Sequence, residues 1–475
     1  MEFEAVIGLE IHVEMKTVSK MFSNGPVSYG EDPNTKVVLL DMAFPGTMPT
    51  VNKQAVINAI RVSHALHMDI DDIVMFERKN YFYSDLPKGY QITQQFRPIG
   101  SNGYLTIKLG EEEKRINIER LHMEEDTCKQ LHSWDFSLLD YNRAGIPLIE
   151  IVSKPEMRSG EEAAKYVEKI RSIVSFLDVS DGKMEEGSLR CDVNISLREK
   201  GSEKFGTKVE IKNLNSLNNI KQAIDFEISR QSIILEFGGH IEQETRRFDE
   251  GSKETVLMRV KTDAVDYKYF TEPNIPPIKL SKEFIEEAIN TSPELAEARL
   301  ERYEKLGLNE YDSSLLLANK EVSDYFDELV KTGANPKLAA NWVIGDVQAQ
   351  LNKNGISIKE FKISAPNLGK LIKIVESGKI SNKQGRDVFA VMLESSEDPE
   401  AIIKKLGFEQ VSDEAELLVI INELLDQNPQ LVNEYNNGHD RVLGFFVGQI
   451  MKKTQGKANP GLTSKLLIHE IKRRA

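Results

Sequence analysis

The stretch Gly8-Leu9-Glu10-Ile11-His12-Val13-Glu14 decides how this chain is to be read. Polar and apolar residues alternate through it, the period of a β-strand with one buried face. The other face then carries Glu10, His12 and Glu14 together. Three ionisable groups on one strand face repel one another or share a counter-ion, and a divalent cation suits two carboxylates and an imidazole. A solvated edge strand with a lone histidine is the competing account.

Working outward, four further segments offer acids of the same kind. Leu121-His122-Met123-Glu124-Glu125-Asp126-Thr127 sets three consecutive acids beside a histidine. In Leu189-Arg190-Cys191-Asp192-Val193-Asn194, alternation puts Arg190, Asp192 and Asn194 on one face. Lys208-Val209-Glu210-Ile211-Lys212-Asn213 places Glu210 between two lysines that share its face. Glu150 interrupts the apolar run Pro147-Leu-Ile-Glu-Ile-Val152, and an acid in such a run is rarely left unpaired when buried. Carboxylates with few histidines and no metal-spaced cysteines point to Mg²⁺ or Mn²⁺ rather than structural zinc. Arg190, Lys208 and Lys212 suit phosphate oxygens. Acids for metal and bases for phosphate make up the logic of nucleotide-dependent phosphoryl transfer; unrelated surface ion pairs would leave the same letters. GxxxxGK[ST], GxGxxG and GxSxG are absent from the sequence, so a nucleotide site here is neither a P-loop nor a Rossmann type.

Glu77 to Ile92 interleaves Tyr81, Tyr83 and Tyr90 with Lys79, Lys88 and Gly89. Such a stretch stacks on a base and holds a phosphate, or packs as a half-buried loop with amphipathic tyrosines.

The chain has 475 residues, enough for roughly two to four domains. Its 40% hydrophobic and 29% charged residues are those of an ordinary globular protein. No stretch reads as a signal peptide or a transmembrane span. Cys128 and Cys191 form no CxxC pair, so a reduced, cytoplasmic setting is expected. The net charge of -14 argues against an overall nucleic-acid-binding surface. The charge is uneven, however: Arg441 to Ala475 holds eight Lys/Arg and one acid, so the C-terminal end is basic.

Up to about residue 290 strands and helices mix without a βαβ rhythm, which predicts an α+β fold with a largely antiparallel sheet. Helices are predicted over Asn52 to His67 and Glu161 to Leu177. From Ser292-Pro293-Glu294 the pattern turns helical: Glu294 to Leu306, Ser313 to Thr332 and Pro336 to Asn352, with a final bundle of Asp413 to Leu425, Pro429 to Asn436, Asp440 to Lys453 and Asn459 to Arg474. The expected domains are 1–292, 293–410 and 411–475. In the last, Gly444 and Gly448 lie four apart on one helix face, each costing ~1 kcal/mol of helix stability. Lys452, Lys453 and Lys457, then Arg473 and Arg474, follow as a basic end suited to RNA phosphates. A helix-packing contact and a charged terminus would account for the same residues.

Together these segments resemble one family, the B subunit of the glutamyl/aspartyl-tRNA amidotransferase, the GatCAB complex. The matching strings are Ala5 to Glu14, Lys79-Asn-Tyr-Phe-Tyr-Ser-Asp-Leu-Pro-Lys-Gly-Tyr-Gln-Ile92, Asp140-Tyr-Asn-Arg-Ala-Gly-Ile-Pro-Leu-Ile-Glu150 and Glu185-Glu-Gly-Ser-Leu-Arg-Cys-Asp-Val-Asn194. Val209-Glu-Ile-Lys-Asn-Leu-Asn-Ser216, Lys261-Thr-Asp-Ala-Val-Asp-Tyr-Lys-Tyr-Phe270 and Asn459-Pro-Gly461 continue the match over essentially the whole chain.

The resemblance implies a first domain like the glutamine synthetase/guanido kinase cradle and a YqeY-like helical tail. It implies ATP-dependent phosphorylation of the side-chain carboxylate on Glu-tRNA(Gln) or Asp-tRNA(Asn). Ammonia channelled from an amidase A subunit would then give the amide, with a small C subunit completing a heterotrimer. Glu10, His12, Glu124, Glu125, Glu150, Asp192 and Glu210 are then expected around Mg²⁺, with Glu125, Glu10, His12 and Arg190 as the catalytic set. Arg190, Lys208, Lys212, Ser188 and Asn194 are expected at the nucleotide; Lys79, Lys88 and Glu125 at the ammonia channel; and Gly444, Gly448, Lys452, Lys453 and Lys457 at tRNA. The family's CxC…CxxC zinc set reads Ser23, Gly25, Val38 and Asp41 here, so no zinc is expected and packing should hold that loop. No Ser-Ser-Lys amidase pattern occurs, so activity should need a partner chain. The alternative is a tRNA-binding assembly factor with a structural acidic cradle.

Overall fold

The computed structural model describes residues 2–260, 266–395, 397–408, 414–436, 441–454, 458 and 460–474. The chain divides into two compact units, Met1–Ala296 and Glu297–Ala475.

The first unit is α+β. Its strands in chain order are β1 (Phe3–Glu14), β2 (Asp69–Ile70), β3 (Ile73–Val74), β4 (Glu77–Asn80), β5 (Tyr90–Thr93), β6 (Gly100–Leu109), β7 (Glu112–Glu125) and β8 (Lys129–His132). They continue as β9 (Ser137–Asp140), β10 (Pro147–Ser153), β11 (Leu189–Glu199), β12 (Val209–Leu214), β13 (Glu244–Asp249), β14 (Glu254–Val260), β15 (Phe270–Thr271) and β16 (Ile278–Lys279). One sheet takes nine of them, in the order β14-β13-β12-β11-β1-β10-β7-β6-β2. Every pairing in it is antiparallel except β12 with β13. The opening strand β1 is therefore central, between β10 and β11.

Alternation in β1 sends Leu9, Ile11 and Val13 to one face, where they are buried with Leu121, Met123, Ile149, Ile151, Val193 and Ile195. Helices α1 (Lys53–Ala65), α2 (Gly160–Phe176) and α3 (Leu217–Glu236) pack into the same core through Ala59 and Ile60, Val167 and Ile170, and Ala223 and Ile224. Each such Val, Leu, Ile or Met side chain contributes about 1.5–3 kcal/mol. The Asn52 and Ser159 side chains cap α1 and α2 by accepting from the Ala55 and Glu162 amides. Helices on one face leave the other face of the sheet to its polar residues.

A second, three-stranded sheet, β15-β4-β5, carries the tyrosine-rich stretch. Arg78 anchors it, with its guanidinium 4.0 Å from the Tyr90 ring centroid and bonded to the buried Glu272.

The loop after β1 holds by more than packing. Lys20 Nζ lies 2.7 Å from Asp41 Oδ2, both buried, and Asp41 also accepts from Ser23 Oγ and the Val38 amide. A Cβ at Gly25 would stand 2.9 Å from Asp41 Oδ2, so the backbone passes too close for a side chain there.

The second unit is helical, with two separate hydrophobic clusters: one from Tyr303 to Ile403, the other from Leu417 to Ile471. The helix expected over Ser313 to Thr332 is two, Glu310–Leu317 and Lys320–Lys331, because the Asn319 side chain accepts from the Glu321 and Val322 amides and starts a new helix. Among the described residues, no helix is long and apolar enough to cross a membrane.

Candidate metal centre on the polar sheet face

Register across the sheet sets the polar residues in rows. One row runs Arg190 (β11), His12 (β1), Glu150 (β10), His122 (β7). The next runs Asp192, Glu10, Val152, Arg120. On the other side of the first lie Glu14, Leu148 and Glu124. Strands about 4.8 Å apart bring such neighbours within reach of one another.

His12, Glu124 and Glu150 converge most closely. Each offers one ligand atom, all within 4.8 Å of one another. His12 Nε2 is 3.6 Å from Glu124 Oε1 and 3.6 Å from Glu150 Oε2. His122 closes the group, with Nε2 3.0 Å from Glu150 Oε2 and 3.7 Å from Glu124 Oε2. Burial alone would lower the His122 pKa, but Glu150 and Glu124 raise it to about 9. Glu150 is held below the carboxylate range: His122 and His12 outweigh the burial that opposes its charge. The donor set fits a hard divalent cation: two carboxylates and one imidazole, converging, with no sulfur.

The remaining expected residues fall into distinct places. Glu10 accepts from Asn194 Nδ2 at 2.8 Å. Asp192 and Glu210 both pair with Lys212, Glu210 at 3.0 Å. Lys208 is exposed immediately before β12. Arg190 pairs with Asp126 at 2.6 Å. Ser188 is turned into its own loop, where its hydroxyl engages Asp181 and accepts from the Lys183 amide. Glu125 does not join Glu124: its buried carboxylate pairs with Lys88 and accepts from the Ile92 amide at 3.0 Å. Lys79 lies 4.9 Å from the Tyr267 ring centroid. Burial depresses the Lys79 ammonium, but Glu124, Tyr269, Tyr267 and Glu150 raise it above its ordinary value. In the second unit Gly444 and Gly448 are exposed on Arg441–Lys453, and a Cβ at either would meet nothing within 4 Å. Lys452 is exposed, and Lys453 reaches Glu423 at 2.9 Å. Lys457 lies outside the described residues.

Glu14 was placed on this face by the sequence, but two contacts of Asp126 were not legible there. Glu14 shares a hydrogen bond with Asp126; burial and that neighbouring carboxylate raise its pKa to about 8, against Arg190 and Arg143. Arg143 reaches Asp126 at 3.7 Å and bonds the Thr127 and Cys128 carbonyls. Arg143 stands in the Asp140 to Glu150 string, but nothing local announces a partner so far away in sequence.

Residues 5–286 match the GatB/GatE catalytic domain, and residues 324–471 match the GatB domain. Along its full length the chain is 50% identical to the B subunit of an aspartyl/glutamyl-tRNA(Asn/Gln) amidotransferase from Bacillus cytotoxicus. It is 49% identical to the proteins of that name from Lysinibacillus sphaericus and Geobacillus thermodenitrificans. In all three comparisons the whole of both chains is covered.

Proposed function

Since the chain belongs to the GatB/GatE family, we propose that it is the component of a tRNA-dependent amidotransferase that activates and amidates the aminoacyl side chain. The substrate is Glu-tRNA(Gln) or Asp-tRNA(Asn), and the products are Gln-tRNA(Gln) or Asn-tRNA(Asn). The activity is a carbon–nitrogen ligase with glutamine as amido donor. The reading divides the chain into a cradle (1–292) like glutamine synthetase and guanido kinases, a helical linker (293–410) and a YqeY-like tail (411–475). The observation that carries it is the His12–Glu124–Glu150 cluster on the polar face of the matched catalytic domain.

A carboxylate is a poor acyl donor because its leaving group would be oxide. Attack of its oxygen on the γ-phosphorus of ATP releases ADP and makes that oxygen part of a phosphate. Ammonia then attacks the acyl carbon, inorganic phosphate leaves, and the nitrogen loses a proton to become the amide. His12, Glu124 and Glu150 would hold Mg²⁺, or Mn²⁺ in its place. When bound, the ion neutralises charge on the transferring phosphoryl group. His122 holds Glu150 and Glu124 in place through its ring nitrogen, as partners of ligand groups do. Glu125, buried at the end of β7, and its partner Lys88 from the segment before β5 would provide polar groups for the passage of neutral ammonia, with Lys79 on β4 as a third.

The ammonia requires a partner with glutaminase activity, an amidase A subunit, and the assembly includes a small C subunit. Gly444, Gly448, Lys452 and Lys453 form the tRNA-facing part of the tail, where exposed glycines let a sugar–phosphate backbone come close. The test is phosphate release from ATP by this chain assembled with its A and C subunits. Release that requires both Mg²⁺ and mischarged tRNA is expected. Release unaffected by removing the aminoacyl group would overturn the reading.

A further inference from the structure

We propose that Arg120 is a substrate-binding residue of this site, gripping an anionic oxygen pair, carboxylate or phosphoryl, above the acid rows of the sheet. The proposal rests on the amidotransferase reading.

A β-bulge aims this side chain. Along β10 and β7, Val152 pairs with Arg120, but the next residue, Ser153, pairs with Ile118, leaving Glu119 extra. Ile118 and Leu121 are both fully buried, so Glu119 and Arg120 turn together to the polar face. On the adjacent strand Asn102 follows the same irregularity with a positive φ of 55°, a backbone state few non-glycine residues adopt. Bulges of this kind re-aim side chains beside active sites.

The bulge leaves Arg120 in the row of Glu10 and Asp192, two residues from His122 on the same strand. There its guanidinium differs from three cations of the site that are ion-paired, although Arg190 likewise has a buried Nε without a hydrogen-bond partner. Arg190 is held by Asp126, Lys212 by Asp192 and Glu210, and Lys88 by Glu125. Among the described residues no carboxylate lies within ion-pair distance of Arg120, and its buried Nε has no hydrogen-bond partner. Two residues along the strand, the buried His122 also has a partnerless nitrogen, Nδ1. Tyr269 is near enough to feel Arg120: burial raises its phenol pKa, while Lys79 and Arg120 lower it.

A buried N–H without a partner is costly, and an anionic ligand on this face would satisfy it. The ligand here is anionic, because a guanidinium offers only N–H donors and carries a fixed positive charge. The face gathers Glu10, Glu124, Glu150, Asp192 and Glu210, which repel a carboxylate and a triphosphate alike. A planar fork of N–H groups accepts two oxygens of either group at once, which an ammonium does not do.

The test uses the assembled heterotrimer with R120Q and R120K. Phosphate release with mischarged tRNA should fall about 100-fold in kcat/KM for R120Q, with the melting temperature unchanged, and R120K should recover little of it. A loss seen as a raised KM for ATP, with weaker binding of a non-hydrolysable analogue, assigns the phosphoryl source. A loss confined to mischarged tRNA, with uncharged tRNA binding unchanged, assigns the carboxylate. R120Q within threefold of wild type overturns the proposal. So does full activity in R120K, which also decides the matter if R120Q fails to fold. Wild-type protein that ignores mischarged tRNA would instead refute the amidotransferase reading.

Discussion

Glu124 and Glu125 leave β7 on opposite sides. Glu124 Oε1 lies 3.6 Å from His12 Nε2, whereas the Glu125 carboxylate pairs with Lys88 and accepts from the Ile92 amide. Two acids adjacent in sequence thus belong to different functions in this account. Glu125→Gln should leave tRNA-dependent phosphate release within about threefold of wild type while cutting amide formation about 100-fold. Parallel assays of phosphate and of Gln-tRNA(Gln) read the two steps. Equal loss in both would return Glu125 to the metal centre.

His122 gives the metal site a pH dependence. Its folded pKa of about 9 exceeds the ordinary 6.5. In the metal-free chain, its ion pairs therefore stabilise fully below pH 6.5, and that contribution is lost as pH rises through about 9. Protonated His122 also competes with a cation for Glu150 and Glu124. Apparent Mn²⁺ affinity should rise with pH, by up to about tenfold per unit between pH 7 and 9, as one proton is released. Titrations across that range check it, and His122→Asn should flatten the profile. A flat profile in the wild type contradicts it.

The Lys20–Asp41 pair should be costly to break singly. Both side chains are buried, so Lys20→Met would strand a carboxylate and lower stability by about 3–5 kcal/mol. The double variant K20M/D41L should regain most of that. Urea unfolding of K20M, D41L and K20M/D41L decides, and additive losses would refute a coupled pair.

The tail makes an ionic-strength prediction. Its hydrophobic cluster, Leu417 to Ile471, is separate from that of the first unit. Truncation before Asp413 should weaken tRNA binding with the first unit still folded. Replacing Lys452 and Lys453 by alanine should reduce the salt slope of tRNA binding by about one per lysine. Unchanged tRNA affinity in the truncation would refute the tail assignment.

Alternation alone made β1 legible, and with it the shared face of Glu10, His12 and Glu14. Capping residues marked α1 and α2 to within a residue or two. Helix α3 was not legible, because its buried stripe continues through Glu227 and Gln231. Glu227 is buried because Arg230, Arg246 and Thr255 meet it, and Gln231 donates to Glu227 in turn. Which acid of Glu124-Glu125-Asp126 faces His12 depends on where β7 pairs with β10, a register the string does not contain. Asp126 was unreadable because Glu14 and Arg190, its partners, come from other strands. Arg120 was hidden differently: the alternation Arg120-x-His122-x-Glu124 was present, but only the bulge at Glu119 explains why the cation faces the site rather than the core.

The most direct measurement is tRNA-dependent phosphate release by the assembled heterotrimer as a function of Mg²⁺, for wild type and Glu150→Gln. Glu150 sits between His12 and His122 in one cross-strand row and offers a ligand atom to the candidate centre. Release in the wild type should require mischarged tRNA, and in the variant it should fall about 100-fold or more, with excess Mg²⁺ only partly restoring it. Wild-type rates and an unchanged Mg²⁺ dependence in Glu150→Gln would contradict that expectation.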